Sequence, residues 1–185
     1  MGRLRLLAAA GVLTLLLGCA AARAVPSPAP KAAAAVSPSG ASRTTRSRHG
    51  LRVFVDTSAY YALVDRGDAA WAGADQLRGL LTRHAARFFT TSAVLAETHA
   101  LVLSRFGAAI ALRVLDSIDN SSSTTVVRPT TSDEERARSI LHDYADKGFS
   151  LTDATSFAVM ERLGLDAAFT FDRHFAQYGV QVLAQ

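Results

Sequence analysis

The chain has 185 residues, 49% of them apolar, which is enough for one ordinary domain with a buried core plus an extension. All 16 Asp and Glu lie beyond Gly50, whereas 7 of the 20 Lys and Arg precede it, so residues 1–50 carry +7 and the remainder holds 13 basic against 16 acidic groups. The formal net charge of +4 therefore belongs to the leader, and this excludes a generally basic surface as the domain's means of holding nucleic acid.

The leader comes first in the chain. Arg3 and Arg5 give a basic start, residues 6–17 form an apolar run, and Leu16-Leu17-Gly18-Cys19 precedes small residues. Residues 1–24 thus read as a signal-peptide-like leader with a lipoprotein-type box ending at Cys19, or with an Ala-Arg-Ala cleavage site ending at Ala24. The apolar run is short for a membrane span, which needs about 20 residues. Residues 25–50 read as a disordered linker, with Pro26, Pro28, Pro30, Pro38 and an alanine run. An organelle transit peptide or a misassigned start codon fits the same stretch, and the sequence leaves these readings open. Cys19 is the only cysteine, so residues 51–185 must fold without a disulfide or a thiolate metal site.

From Leu51 onward, short apolar runs alternate with longer amphipathic stretches. Residues 51–55 predict a strand, 58–64 and 69–81 helices, and 87–90 a second strand. Residues 92–105 and 107–118 follow as helices, and 124–128 as a third strand closed by Pro129. Ser132 with Glu135 three residues on has capping-box spacing for the next helix, and Asp133-Glu134-Glu135 reads as a helix start with a solvated face. Residues 152–163 predict a helix, 167–171 a strand and 180–183 an edge strand. This order indicates an α/β fold, a three-layer α/β/α sandwich with a mostly parallel central sheet. Ligands in such folds sit beyond the carboxyl ends of the strands.

Four carboxylates fall at informative places. Asp56 directly follows Val53-Phe54-Val55, and Asp172 directly follows Phe169-Thr170-Phe171, so both belong to one edge of the sheet. The structural alternative for each is a turn or N-cap residue. Glu97 lies three residues after Val94 and four before Leu101, within an apolar helical stripe. A core-facing carboxylate there needs a partner, and Arg105 and Arg113 are the structural choices. Asp153 lies four residues before Phe157 and seven before Met160, and it also suits a first helical turn behind an N-cap Thr152. Four acids at one edge repel one another without counter-charge. Oxygen ligands favour hard cations, Mg2+ or Mn2+, over zinc, and such ions serve phosphodiester hydrolysis.

These residues resemble the PIN-domain family, most closely its VapC-type ribonuclease toxins. The resemblance runs through Val53-Phe54-Val55-Asp56-Thr57-Ser58-Ala59, Ser92-Ala93-Val94-Leu95-Ala96-Glu97, Ser150-Leu151-Thr152-Asp153-Ala154 and Thr170-Phe171-Asp172-Arg173-His174-Phe175. It covers nearly all of residues 51–185 and implies a PIN domain there that cleaves RNA with Mg2+ or Mn2+ and water as nucleophile. It implies Asp56, Glu97 and Asp153 as the metal core, with Asp172 helping to hold metal or water. Thr57, Ser58 and Thr152 match hydroxyl positions that orient the carboxylates or touch phosphate. The partners it implies are an RNA substrate, a cognate antitoxin and a second copy of the chain as homodimer. The leader departs from this pattern, since a lipid anchor at Cys19 would carry the domain to a membrane, away from cytoplasmic RNA and antitoxin.

Other residues carry less. His99 is two positions from Glu97 and so points away from it on a helix, and His174 falls in a loop after Asp172, where a catalytic role is the minority reading. Trp71, where many relatives carry a polar residue, reads as local packing. Asn120-Ser121-Ser122 matches a glycosylation acceptor that matters only in a eukaryotic secretory route. A haloacid-dehalogenase-type phosphoaspartyl enzyme would need a second Asp two positions beyond Asp56, where Ser58 stands. A non-catalytic PIN-like module of the cell envelope and a DNA-directed nuclease are the remaining rivals.

Overall fold

A computed structural model describes residues 50–184. The leader and all but the end of the linker expected for residues 1–50 lie outside the described residues. Among those described, five strands form one sheet in the order β3-β2-β1-β4-β5, parallel throughout. The strands are β1 (Arg52–Val55), β2 (Arg87–Thr91), β3 (Thr124–Val127), β4 (Ala167–Phe169) and β5 (Gln181–Val182). The seven helices are α1 (Thr57–Val64), α2 (Trp71–Arg83), α3 (Ser92–Phe106), α4 (Ala108–Asp119), α5 (Thr131–Asp143), α6 (Leu151–Leu163) and α7 (Arg173–Tyr178). None of them is long and apolar enough to cross a membrane.

The central strand β1 shows why the sheet is buried on both faces. Val53, Phe54 and Val55 alternate between the faces, yet all three are buried, as expected of a parallel strand covered by helices on either side. Val55 faces a small cavity with Phe88, Phe169, Tyr60 and Leu63, closed by Arg78 and Thr82 of α2. Phe54 faces the other way and meets Phe175 of α7 at a ring separation of 6.0 Å, and Phe175 meets Phe157 of α6 edge-on at 5.0 Å. Each such fully buried aromatic side chain contributes about 2–3 kcal/mol of burial energy.

The strand order places the site. From β1 the chain moves outward to β2 and β3, then returns to β4 on the other side of β1 and ends at β5. The order of connection reverses between the paired strands β1 and β4, so the segments that leave their carboxyl ends part there and form the crevice where such folds bind ligands. Asp56 follows β1, and Thr170 to Asp172 follow β4.

Several local expectations need correction. The capping box of α5 is Thr130 with Asp133, not Ser132 with Glu135. Asp133 is consequently buried, at 3% exposure, and receives two bonds from Arg162 (2.7 and 2.9 Å), while Glu134 and Glu135 remain solvated. The N-cap of α6 is Ser150, not Thr152. Helix α2 starts at Trp71, two residues late, because the Asp68 carboxylate accepts from the Ala70 amide at 2.7 Å and holds a turn there. Strand β4 stops at Phe169, short of Phe171. The Phe171 amide leaves the sheet to bond Ser58 Oγ at 2.9 Å, and Asp172 then caps a helix that periodicity did not predict. That helix, α7, ends in Gly179 at φ +98°, a left-handed C-cap suited to glycine, from which the chain turns into β5.

Candidate active site

Asp56 is the N-cap of α1 and is 4% exposed. Its Oδ2 accepts three bonds, from the Ser58 amide (3.1 Å), Ser58 Oγ (2.7 Å) and Thr170 Oγ1 (3.0 Å). Burial pushes its pKa above the ordinary carboxylate value, against the lowering effect of these bonds. All three of these bonds fall on one oxygen, Oδ2.

Glu97 does not face the core. The buried stripe of α3 is Val94, Thr98 and Val102, and Glu97 stands beside it on the exposed side, at the crevice. Neither Arg105 nor Arg113 pairs with it, and Arg113 Nε is buried without a partner. Its partner is Thr57, whose Oγ1 donates to Oε2 at 2.7 Å. Loss of solvation raises the Glu97 pKa, and the nearby charges of Asp56, Asp153 and Asp172 raise it further. The other three acids therefore lie near enough to add to the effect of burial on Glu97.

Asp153, 6% exposed, sits at the third position of α6 and completes a capping box, accepting from the Ser150 amide at 2.8 Å. Asp172, the N-cap of α7, accepts from the His174 amide at 2.8 Å. The expected loop position of His174 is thus corrected: it lies in the first turn of α7. There its Nδ1 lies 3.1 Å from Asp153 Oδ2 and 3.4 Å from Asp172 Oδ1. One ligand atom from each of Asp153, Asp172 and His174 falls within 4.8 Å of the others. Sequence reading assigned His174 a catalytic role only as the minority reading because α7 was not foreseen; the signal available was its spacing of two residues from an N-cap aspartate.

Of the hydroxyls, Thr57 and Ser58 touch carboxylates, and Thr170, which the sequence reading did not single out, joins them. Thr152 does not. Its carbonyl accepts from Ser156 Oγ at 2.8 Å, and it lines a groove of about 480 Å³ beside the acids, with Ser92, Thr155, Leu151 and Arg138. Trp71 is half-buried beneath the Arg66 guanidinium at 5.7 Å, consistent with packing. His99 makes no contact with the cluster among the bonds of the described residues.

The donor set suits a hard divalent cation. Burial raises the pKa at two of the carboxylates, Asp56 and Glu97, and the His174 ring nitrogen Nδ1 stands within reach of the other two, Asp153 and Asp172. Oxygen-rich sites of this kind bind Mg2+, Mn2+ or Ca2+ rather than soft metals.

A parallel sheet with this crevice and these acids defines a PIN domain, and the PIN-domain profile matches residues 53–181: the chain belongs to that family. It is homologous to the 23S rRNA-specific endonuclease VapC20 of Mycobacterium tuberculosis. In strain CDC 1551 / Oshkosh and in strain ATCC 25618 / H37Rv the identity is 35% over 133 residues, covering 69% of this chain and 94% of the relative. The crystal structure of M. tuberculosis VapC20, described as a sarcin-ricin loop cleaving toxin, superposes with a TM-score of 0.67 at 33% identity, covering 72% of this chain and 99% of that one.

Proposed function

We propose that this chain is a divalent-metal-dependent endoribonuclease that hydrolyses RNA phosphodiester bonds and acts as the toxin of a toxin-antitoxin pair. The observation that carries the chemistry is the placement of Asp56, Glu97, Asp153 and Asp172 around one crevice at the carboxyl ends of β1 and β4, with ligand atoms of Asp153 and Asp172 within 4.8 Å of each other. These four would hold Mg2+ or Mn2+, which supplies Lewis-acid polarisation of the scissile phosphodiester and a more acidic attacking water. Ser58 and Thr170 fix Asp56, and Thr57 fixes Glu97, so the carboxylates are set in place before substrate arrives. The acid-rich crevice itself repels a polyanion. Substrate is then gripped beside it, and the adjacent groove offers hydroxyls from Ser92, Thr152 and Thr155 and the Arg138 cation, with Glu134 also on its wall.

The near full-length match to a 23S rRNA-specific endonuclease supports a structured ribosomal RNA loop as the target. The description of that relative's structure as a toxin supports a cognate antitoxin as partner, and a homodimer is part of the same proposal. Residues 51–185 are proposed as the catalytic unit, and Cys19 as a lipid-anchor site if residues 1–24 act as an export signal.

The test is incubation of the purified full chain with intact ribosomes and with protein-free rRNA, with and without Mg2+ or Mn2+, and mapping of cut ends by primer extension. A discrete metal-dependent cut, lost in Asp56→Asn, is the expected result. Intact RNA under every metal condition would overturn the nuclease reading in favour of a non-catalytic RNA- or protein-binding module.

A further inference from the structure

We propose that His174 supplies a nitrogen ligand to the divalent-ion site, making it a mixed nitrogen and oxygen centre that prefers Mn2+ to Mg2+. The inference rests on the metal-site reading above and adds to it a ligand and a metal preference.

The argument starts from α7. Asp172 caps this helix, and the chain that turns there brings the His174 ring against Asp153. The imidazole is 20% exposed, so it is not a solvated surface histidine. One edge contact comes from Phe149, at a ring separation of 5.4 Å. Phe149 packs in turn on Phe157 at 5.2 Å, and Phe157 stacks on Tyr178 at 4.2 Å, so both the ring and the helix that carries it are braced. Preorganisation of this kind is expected of a ligand and is not needed for a bystander.

Geometry and chemistry then point the same way. Two ligands on a first-row divalent ion, each about 2.0–2.2 Å from it, stand no more than about 4.4 Å apart. The atoms of Asp153, Asp172 and His174 already lie within 4.8 Å of one another, so small side-chain rotations complete the set. Nδ1 faces the two carboxylates, so the nitrogen that would bind metal is the one aimed at the site. Mg2+ gains little from imidazole, whereas affinity for nitrogen ligands rises from Mn2+ onward along the first-row series. The alternative is that His174 only hydrogen-bonds the carboxylates, in which case no nitrogen touches the ion.

The experiment is electron spin-echo envelope modulation on the full chain loaded with Mn2+ alone, together with calorimetric titration of Mn2+ and Mg2+. Nitrogen modulation is expected in the native chain, retained in His99→Ala and lost in His174→Ala. The same His174→Ala change should weaken Mn2+ binding by about tenfold or more and Mg2+ binding much less. Bound Mn2+ without nitrogen modulation in the native chain would overturn the ligand role and leave the carboxylate site standing, as would modulation that persists in His174→Ala. Failure of the native chain to bind Mn2+ at all would overturn both readings.

Discussion

Thr57 Oγ1 and Glu97 Oε2 lie 2.7 Å apart across a separation of 40 residues, so the first residue of α1 sets the carboxylate of a helix beyond the next strand. Thr57 is buried and Glu97 is exposed. Thr57→Val keeps the shape and removes the bond, and Glu97 can then turn toward water. The expected result is a loss of roughly three- to tenfold in kcat with thermal stability changed by less than about 1 kcal/mol, because the freed carboxylate remains solvated. Kinetics beside a melting curve check it, and an unchanged kcat would remove Thr57 from the site.

Asp56 and Glu97 both have pKa values raised in the fold. A raised carboxyl stabilises the metal-free protein below its unfolded value, near 3.8 for Asp, and that contribution is lost as pH rises through the folded value. The metal-free chain should therefore gain stability from these groups as pH falls from neutral toward that range, while RNA cleavage falls as the same carboxylates protonate. Asp56→Asn should flatten the stability trend and abolish cleavage. Melting temperatures across pH without metal, compared with cleavage rates, test both signs.

Asp133 behaves in the opposite sense. Its two bonds from Arg162 hold its pKa at about 2, so its contribution is present above pH 3.8 and is lost as pH falls through about 2. Arg162 is partly exposed, which discounts the pair. Arg162→Ala should cost on the order of 1–3 kcal/mol at neutral pH by leaving a buried carboxylate unpaired. It should also begin acid unfolding at higher pH than in the native chain, which denaturant titrations at two pH values would show.

Arg138 lines the groove beside the acids. Arg138→Glu should raise KM for RNA by about tenfold and reduce the slope of log affinity against log salt by about one, the signature of a lost phosphate contact. An unaltered salt slope would place the RNA elsewhere.

The proposed leader is read out at the mature N-terminus. Mass spectrometry should find a lipid-modified Cys19 if the box is used, a start after Ala24 if the chain is cleaved as a secretory protein, or a start near Leu51 if the leader is not translated or is removed.

Much of the fold was legible because parallel strands buried on both faces leave continuous apolar runs, and Val53-Phe54-Val55 and Ala167-Ala168-Phe169 are such runs. What was illegible depended on side chains bonding to backbone. Nothing in the periodicity shows that Thr130 outcompetes Ser132 as a cap, or that Ser58 Oγ draws the Phe171 amide out of the sheet and shortens β4. The positions of the four acids were readable from strand ends and motif order, but the orientation of Glu97 was not. Its offset from Val94 and Leu101 resembled a core stripe, and the actual stripe runs through Val94, Thr98 and Val102. For Asp56 and Asp172 the two sequence alternatives were not exclusive, since each is an N-cap and each stands in the cluster.

Three of the four clustered acids begin helices: Asp56 caps α1, Asp153 completes the capping box of α6, and Asp172 caps α7. Alanine at Asp56 or Asp172 gives up an N-cap worth about 0.5–2 kcal/mol along with a negative charge, whereas asparagine caps as well as aspartate does. Mutational drift toward an inert protein is thereby channelled. Most single steps that disarm the crevice also loosen a helix and expose the chain to proteolysis, and the quiet route runs through Asp→Asn. Stably folded but inactive descendants of this chain should carry asparagine at positions 56 and 172 far more often than alanine.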